Sequence, residues 1–466
     1  MDDAQIAELQ ASGLVAAIEP ETFHPAPLPI QGFQPWKPWN VDMNQILAAS
    51  PAGAKTPYGI TLVKSHEAWA VNGKGAGARV LVLDTGMDVN HPALAANYEK
   101  GKDFNSMADS SDVTDVVGHG THVAGTVAGV LFADGFSGVA PEAKILMGRV
   151  CGEQGCSNIA VSRGINWGIE EKVDVITMSL GGPLGSLSEK RAVEAADAAG
   201  ITVIAASGNE GTPRVSYPAA FPTVIAVGAV DSTSTRASFS QYGPELDITA
   251  PGVAVISAVP VGSGRESKVQ VSVGAQSRDV VSAGFAGSPE VTQPLTNELV
   301  DCGLGKPEDF TAAVKGKFAL ISRGEIAFVD KVKNAIAAGA AGAVIYNNAP
   351  GLIQGALTQD GSTVAIPAMM IEQTVGEEMK SVLATGGVAS ATIQTLRTDY
   401  SAFDGTSMAT PHVAGVAALV KAANKALTPA EVRELFKTSA KAIGPVGEYG
   451  AGLVDAEAAV NKALGK

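Results

Sequence analysis

The stretch Arg79-Val-Leu-Val-Leu-Asp84-Thr-Gly86 decides the fold. Four aliphatic residues in a row are followed by a carboxylate and a turn. An unbroken apolar run of this length reads as a strand buried on both faces. The same pattern recurs at Lys144 to Val150, Val173 to Leu180, Thr202 to Ala206 and Thr223 to Val230. Between these runs, His119 to Val130, Ser157 to Glu171 and Glu189 to Ala199 have helical spacing. Such alternation predicts an α/β domain, with a parallel sheet covered by helices on both faces. Ligands bind such sheets at the carboxyl ends of the strands. Asp84, Ser179 and Asn209 fall at or just past those ends.

The chain has 466 residues, enough for two or three domains. Hydrophobic residues make up 46% and aromatics only 5%, with 53 glycines. This composition suits a core of small aliphatics. No apolar run approaches the length of a membrane span. The formal net charge of −14 argues against nucleic acid as a partner. Of the three cysteines, Cys151 and Cys156 are close enough in sequence to close a small ring. That pairing stays open at this stage, as does the redox compartment.

The composition changes near Val259. Within 260–397, Lys317 to Ser322, Gly342 to Tyr346 and Ala365 to Ile371 are strand-like. Phe328 to Ala338 and Thr374 to Leu383 are helical. This reads as a separate α+β domain. After it, Gly405 to Ala423 and Thr428 to Lys437 are helices, the second with a Thr-Pro start. Phe23 to Pro38 is proline-rich and reads as part of an extended linker over 21–57.

Ser407 lies in Asp404-Gly-Thr-Ser-Met-Ala-Thr-Pro-His-Val-Ala-Gly415. Gly405 permits a sharp turn into a helix. Ser407 then stands where free N–H groups favour a developing oxyanion. Pro411 is expected in the helix's first turn. A plain helix cap is the competing reading of Ser407. A nucleophilic serine needs a base. Among six histidines, His119 in Gly118-His-Gly-Thr-His122 is flanked by glycines at a loop-to-helix junction, where its ring is expected to be exposed at the sheet edge. His122, one turn further on, is expected to pack or to bond a backbone carbonyl. Asp84 closes the core strand, where a carboxylate is costly to bury alone, and His119 is the expected partner. Asp88 is the alternative, read as a solvated turn residue. Asn209, in Ala205-Ala-Ser-Gly-Asn-Glu-Gly211, can donate to an oxyanion beside the Ser407 N–H. Its competing reading is a turn residue.

The order Asp, His, Ser is that of subtilisins. The motifs at Asp84-Thr-Gly86, His119 to Thr126, Ser179-Leu-Gly-Gly182 and Gly405 to Gly415 closely resemble the subtilisin (subtilase) family. The likeness covers about Tyr58 to Val259 and Thr398 to the C-terminus. It implies a serine endopeptidase with no cofactor required for catalysis. It implies that Ser179, Leu180 and Gly181 pair with the backbone of a protein or peptide substrate. The segment Gly152 to Cys156, with Gly155 and Cys156 at its end, would flank the substrate's other side. The likeness further implies that Ser216 lies near the floor of the first specificity pocket and Glu210 near its rim.

The 260–397 segment resembles a protease-associated (PA) domain, carried on Lys317 to Gly324, Lys331 to Asn348 and Ile366 to Met369. Gln5 to Glu19, with Leu14-Val-Ala-Ala-Ile18, resembles the last strand of a propeptide. Residues 1–20 are therefore expected to be a propeptide remnant, cut by the enzyme itself between Pro20 and Pro57. The likeness implies a secreted protein whose signal peptide lies outside this chain. One departure concerns calcium. His91-Pro92 is followed by Ala93, and the later loop reads Leu131-Phe-Ala-Asp134. The usual family calcium site is expected to be missing, although calcium elsewhere is compatible with the sequence. The acidic run from Asp103 to Asp115 is expected to be a solvated loop.

Overall fold

In the computed structural model, the described residues are 18–25 and 56–466, with 5, 6, 9 and 12. Within the longer range, 107–109, 133–135, 153, 349–351, 353–356 and 359–361 are excluded. The strand expected over Gln5 to Glu19 is not borne out where it is described: Gln5, Ile6 and Leu9 are helical, Ser12 is a turn and Ile18 and Glu19 are in no strand; its other residues lie outside the described residues. So does the linker over 26–55.

Strand β1 (Phe23–His24) comes first, followed by helices α1 (Tyr58–Leu62) and α2 (Ser65–Asn72). Next are β2 (Arg79–Asp84), β3 (Tyr98–Asp103), helix α3 (His119–Ala128) and β4 (Lys144–Arg149). A short hairpin of β5 (Cys151–Gly152) and β6 (Gly155–Ser157) leads into α4 (Asn158–Glu171). Then come β7 (Val175–Met178), α5 (Leu187–Ala198), β8 (Thr202–Ala206), β9 (Val224–Val230) and β10 (Ile248–Pro251).

Seven of these strands form one parallel sheet in the order β10-β9-β8-β7-β2-β4-β3. From β2 the sheet grows in both directions, so the switch of strand order falls beside Asp84. Alternate residues of β2 feed two different cores. Val80 and Val82 pack with α3, while Leu81 and Leu83 pack with α4. This double burial is why the strand reads as an unbroken apolar run.

Two elements start differently from the sequence expectation. Helix α5 begins at Leu187, because Ser186 caps it and Glu189 completes a capping box. The strand expected over 173–180 shrinks to β7, since only its centre pairs with both neighbours.

The segment after β10 leaves through β11 (Val255–Ala258). It passes through β12 (Gly264–Val273), β13 (Gln276–Val280), β14 (Ser282–Gly284), β15 (Val291–Asp301) and β16 (Phe318–Ser322). Helix α6 (Phe328–Ala337), β17 (Gly342–Tyr346), β18 (Ala368–Ile371), α7 (Gln373–Ala384) and β19 (Ala389–Thr398) follow. The chain then returns through β20 (Tyr400–Phe403), antiparallel to β11. Exit and return therefore lie side by side. Strands β12 to β19 make a separate mixed sheet with its own cores. The buried His91 ring pins the return, with Nε2 bonded to the Asp399 carbonyl at 2.9 Å. Helix α8 (Thr406–Ala423) then runs under the main sheet, followed by α9 (Pro429–Ser439) and α10 (Ala456–Ala463).

Candidate active site

Three elements converge at the carboxyl end of the main sheet. Asp84 ends β2, His119 begins α3 and Ser407 is the second residue of α8. Two glycines make the helix starts possible. Gly118 precedes α3 with φ 90, and Gly405 precedes α8 with φ 151. Both values are in the region that side chains disfavour.

His119 Nδ1 donates to Asp84 Oδ1 at 2.7 Å, with both side chains buried, so the ring expected to be exposed at the sheet edge is instead enclosed against its carboxylate partner. The same oxygen accepts the Thr85 N–H at 2.8 Å. With Nδ1 as donor, the neutral ring carries its lone pair on Nε2. Ser407 is 8% exposed. Its hydroxyl donates to the Ser179 carbonyl at 3.0 Å and makes no hydrogen bond to His119 in this structure. Asp88 is not a second partner for the ring. Its carboxylate accepts the Asn90 and Val261 N–H groups.

Asn209 lies just past β8. Its Oδ1 accepts the Thr406 N–H and the Thr406 hydroxyl, both at 2.9 Å. The Thr406 hydroxyl also accepts the Gly208 N–H at 3.2 Å. Fixing the oxygen leaves the amide N–H₂ as the free end of this side chain. Thr406 was not singled out from the sequence. Its only signal there was its place beside Ser407.

His122 bonds through Nε2 to the Val255 carbonyl at 2.8 Å, as expected of a packed histidine. Burial pushes its ring down to about 3. His412 is likewise buried, donates from Nδ1 to Met408 O, and is pushed down to about 4. Both are neutral at ordinary pH and bonded away from Ser407.

Two expectations are corrected. Pro411 is not in the first turn of its helix. It is the sixth residue of α8, so the Ser407 carbonyl lacks its helical donor. The Ser179 hydroxyl takes that place at 2.8 Å. Nor is the acidic run wholly solvated. Asp115 is 4% exposed. Its carboxylate accepts from Thr85 Oγ1, the Val117, Gly118 and Thr121 N–H groups, and Thr121 Oγ1. It therefore braces the start of α3 beneath His119. Burial raises its pKa, against the lowering by these bonds.

The residues expected to line the cleft are brought near the same end. Leu180 is buried. A side chain at Gly181 would meet the Tyr217 carbonyl. Gly182 and Tyr217 exchange backbone bonds at 2.9 and 2.8 Å. Ser216 is buried, and its hydroxyl bonds Gln241 Oε1 at 3.1 Å. Glu210 is exposed. Cys151 and Cys156 form a disulfide across the β5–β6 hairpin, and Cys302 is free and buried.

Gly155 and Cys156 hold a surprise. The outer edge of β6 is already paired with β1, Phe23 to Ser157 and His24 to Cys156. Part of the expected linker is therefore sheet. Around it, Glu19 accepts the Leu187 and Ser188 N–H groups at the start of α5, and Glu21 accepts the Ser157 hydroxyl. Among the described residues, no three His, Cys, Asp or Glu side chains cluster to hold a metal ion. Among them too, no helix is long and apolar enough to cross a membrane.

The subtilase family profile matches residues 75–292, and the PA domain profile matches 291–379. Over 213 residues the chain is 44% identical to subtilisin DY of Bacillus licheniformis, across 44% of this chain and 75% of that protein. It is 43% identical over 213 residues to the major intracellular serine protease of Bacillus subtilis strain 168, across 44% and 67%. Other subtilisins are matched over 55% of their length. The crystal structure of Apa1, a psychrophilic subtilisin-like protease from the Antarctic psychrotroph Pseudoalteromonas sp. AS-11, gives a TM-score of 0.59 at 30% identity. That likeness covers 87% of this chain and 97% of that one. The chain belongs to the subtilase family, a family of serine-type endopeptidases, and carries a PA domain.

Proposed function

We propose that this chain hydrolyses peptide bonds through an acyl-enzyme on Ser407, with His119 as base and Asp84 as its orienting carboxylate. The observation that carries this reading is the 2.7 Å bond from His119 Nδ1 to Asp84, beside Ser407 at a helix start. Asp84 holds the tautomer that leaves Nε2 basic, and stabilises the imidazolium that forms. The Ser407 hydroxyl turns from the Ser179 carbonyl toward His119 when a substrate arrives. Catalytic bonds often tighten only at that stage. As Ser407 attacks, the carbonyl oxygen becomes an anion. The Ser407 N–H and the Asn209 amide donate to it. His119 then protonates the leaving amine, and water releases the acyl group. No cofactor is needed for these steps.

The substrate enters as an added strand between Ser179-Leu180-Gly181 and Gly155-Cys156, with Ser216 and Glu210 at the first specificity pocket. Main-chain pairing tolerates many sequences, so broad specificity follows. The β1–β6 pairing supports reading residues 18–25 as the docked end of a propeptide that the enzyme itself removes. We read 58–259 and 398–466 as the catalytic domain and 260–397 as the inserted domain. The Cys151–Cys156 disulfide supports a secreted protein, since such bonds persist in oxidising compartments. Two relatives are named as intracellular, so fractionation of the producing cells is the check on location.

A sulfonyl fluoride tests the chemistry. It should modify one residue, mapped by peptide mass to Ser407, and His119→Ala should suppress the reaction. Label on another serine would contradict the assignment. Intact Met1 in fully active enzyme would contradict self-processing.

A further inference from the structure

The His24 side chain is buried in a pocket lined by Glu189 and Gly182. Its Nε2 lies 2.6 Å from Glu189 Oε1, with side-chain exposures of 5% and 1%. The other Glu189 oxygen is committed to the capping box, accepting the Ser186 N–H at 3.2 Å and the Ser186 hydroxyl at 2.8 Å. Oε1 alone faces the pocket. Gly182 forms another wall. A Cβ there would come within 2.7 Å of His24 Nδ1, so the missing side chain makes the space. The backbone around His24 is held by strand pairing, with His24 opposite Cys156. Nothing in that pairing depends on the histidine itself.

This combination has a consequence for any peptide that replaces β1. A strand paired to β6 in the same register presents one side chain to Glu189. An apolar side chain there removes water from Oε1 and returns no donor, which is costly for a carboxyl group. A long cationic side chain replaces the lost water with a charge-assisted bond.

We propose that Glu189 is a specificity-determining residue that selects arginine or lysine at one upstream position of the substrate. The proposal rests on the endopeptidase reading given above.

The test uses internally quenched peptides with one cleavable core. Arg, Lys, Leu or Glu is placed in turn at each of several positions upstream of the cut bond. The purified enzyme should cleave the Arg or Lys peptide with kcat/KM about tenfold or more above the Leu peptide at one position. The gain should appear mainly in KM. Glu189→Gln should bring the Arg-to-Leu ratio close to one at that position. Glutamine preserves a capping box, so its melting temperature should stay near that of the parent. A parent enzyme with no cationic preference at any position would overturn the proposal. So would a preference that survives in Glu189→Gln. If no peptide is cut at all, the endopeptidase reading itself fails, and this assignment with it.

Discussion

Ser179 and Ser407 exchange hydrogen bonds. The Ser179 hydroxyl donates to the Ser407 carbonyl at 2.8 Å, and the Ser407 hydroxyl donates to the Ser179 carbonyl at 3.0 Å. The first bond fills the gap that Pro411 leaves in α8. The second holds the proposed nucleophile until a substrate displaces it. Ser179→Ala should leave the Ser407 carbonyl buried without a donor. Thermal unfolding should then show a loss of about 1–3 kcal/mol. Unchanged stability would mean that the helix start does not depend on this bond.

Thr406 fixes the Asn209 amide through two bonds to one oxygen. Asn209→Ala should lower kcat by about 10²–10³-fold with little change in KM, the size known for the equivalent loss in subtilisin. Thr406→Val keeps its backbone bond but loses the hydroxyl. It should give a smaller fall of the same kind. A rise in KM at constant kcat in either variant would place these residues in ground-state binding instead.

Much of this arrangement is legible in the sequence. The run Val80 to Leu83 ends on a carboxylate, and Gly118-His119 and Gly405-Thr-Ser407 each mark a helix start. These are local signals, and local signals survive in a single sequence. Partnerships between distant segments do not. Asp115 looks like one more acid in a polar loop, yet it gathers donors from Thr85 and the first turn of α3. His24 sits in a proline-rich stretch, with nothing nearby to announce Glu189. Pro411 suits a first turn by its own chemistry. Only the Ser179 hydroxyl, 228 residues before the Ser407 carbonyl it serves, explains how it is tolerated deeper in the helix.

Asp404 gives a pH signature. Burial pushes its carboxyl up to about 6, from an ordinary value of 3.8, although Oδ1 accepts the Ala254 N–H at 2.6 Å. A group whose folded pKa is raised contributes its stability fully below the unfolded pKa. That contribution is lost as pH rises through the folded pKa. Asp404→Asn keeps an acceptor for Ala254 but cannot ionise. It should match the parent near pH 4 and exceed it in stability at pH 8, by about 1–3 kcal/mol at about 1.4 kcal/mol per pKa unit. Melting curves across that range decide. An Asn variant that is less stable at pH 8 would refute the account of this buried acid.

The Cys151–Cys156 disulfide closes the short β5–β6 hairpin. On the chain-entropy model, a loop of this length contributes about 2 kcal/mol. The Cys151→Ser, Cys156→Ser double variant should lose about that much. Its KM for peptides should rise more than its kcat falls if, as proposed, β6 is the strand that pairs with the bound chain. Equal KM values in parent and variant would separate the disulfide from substrate pairing.

The central claim is that Ser407 is the nucleophile for both substrate cleavage and self-processing. The direct measurement is casein hydrolysis by this chain and by Ser407→Ala, with intact masses recorded over time. The account predicts that cleavage and N-terminal trimming vanish together in the variant while its fold persists. Casein cleavage that survives in Ser407→Ala would contradict it.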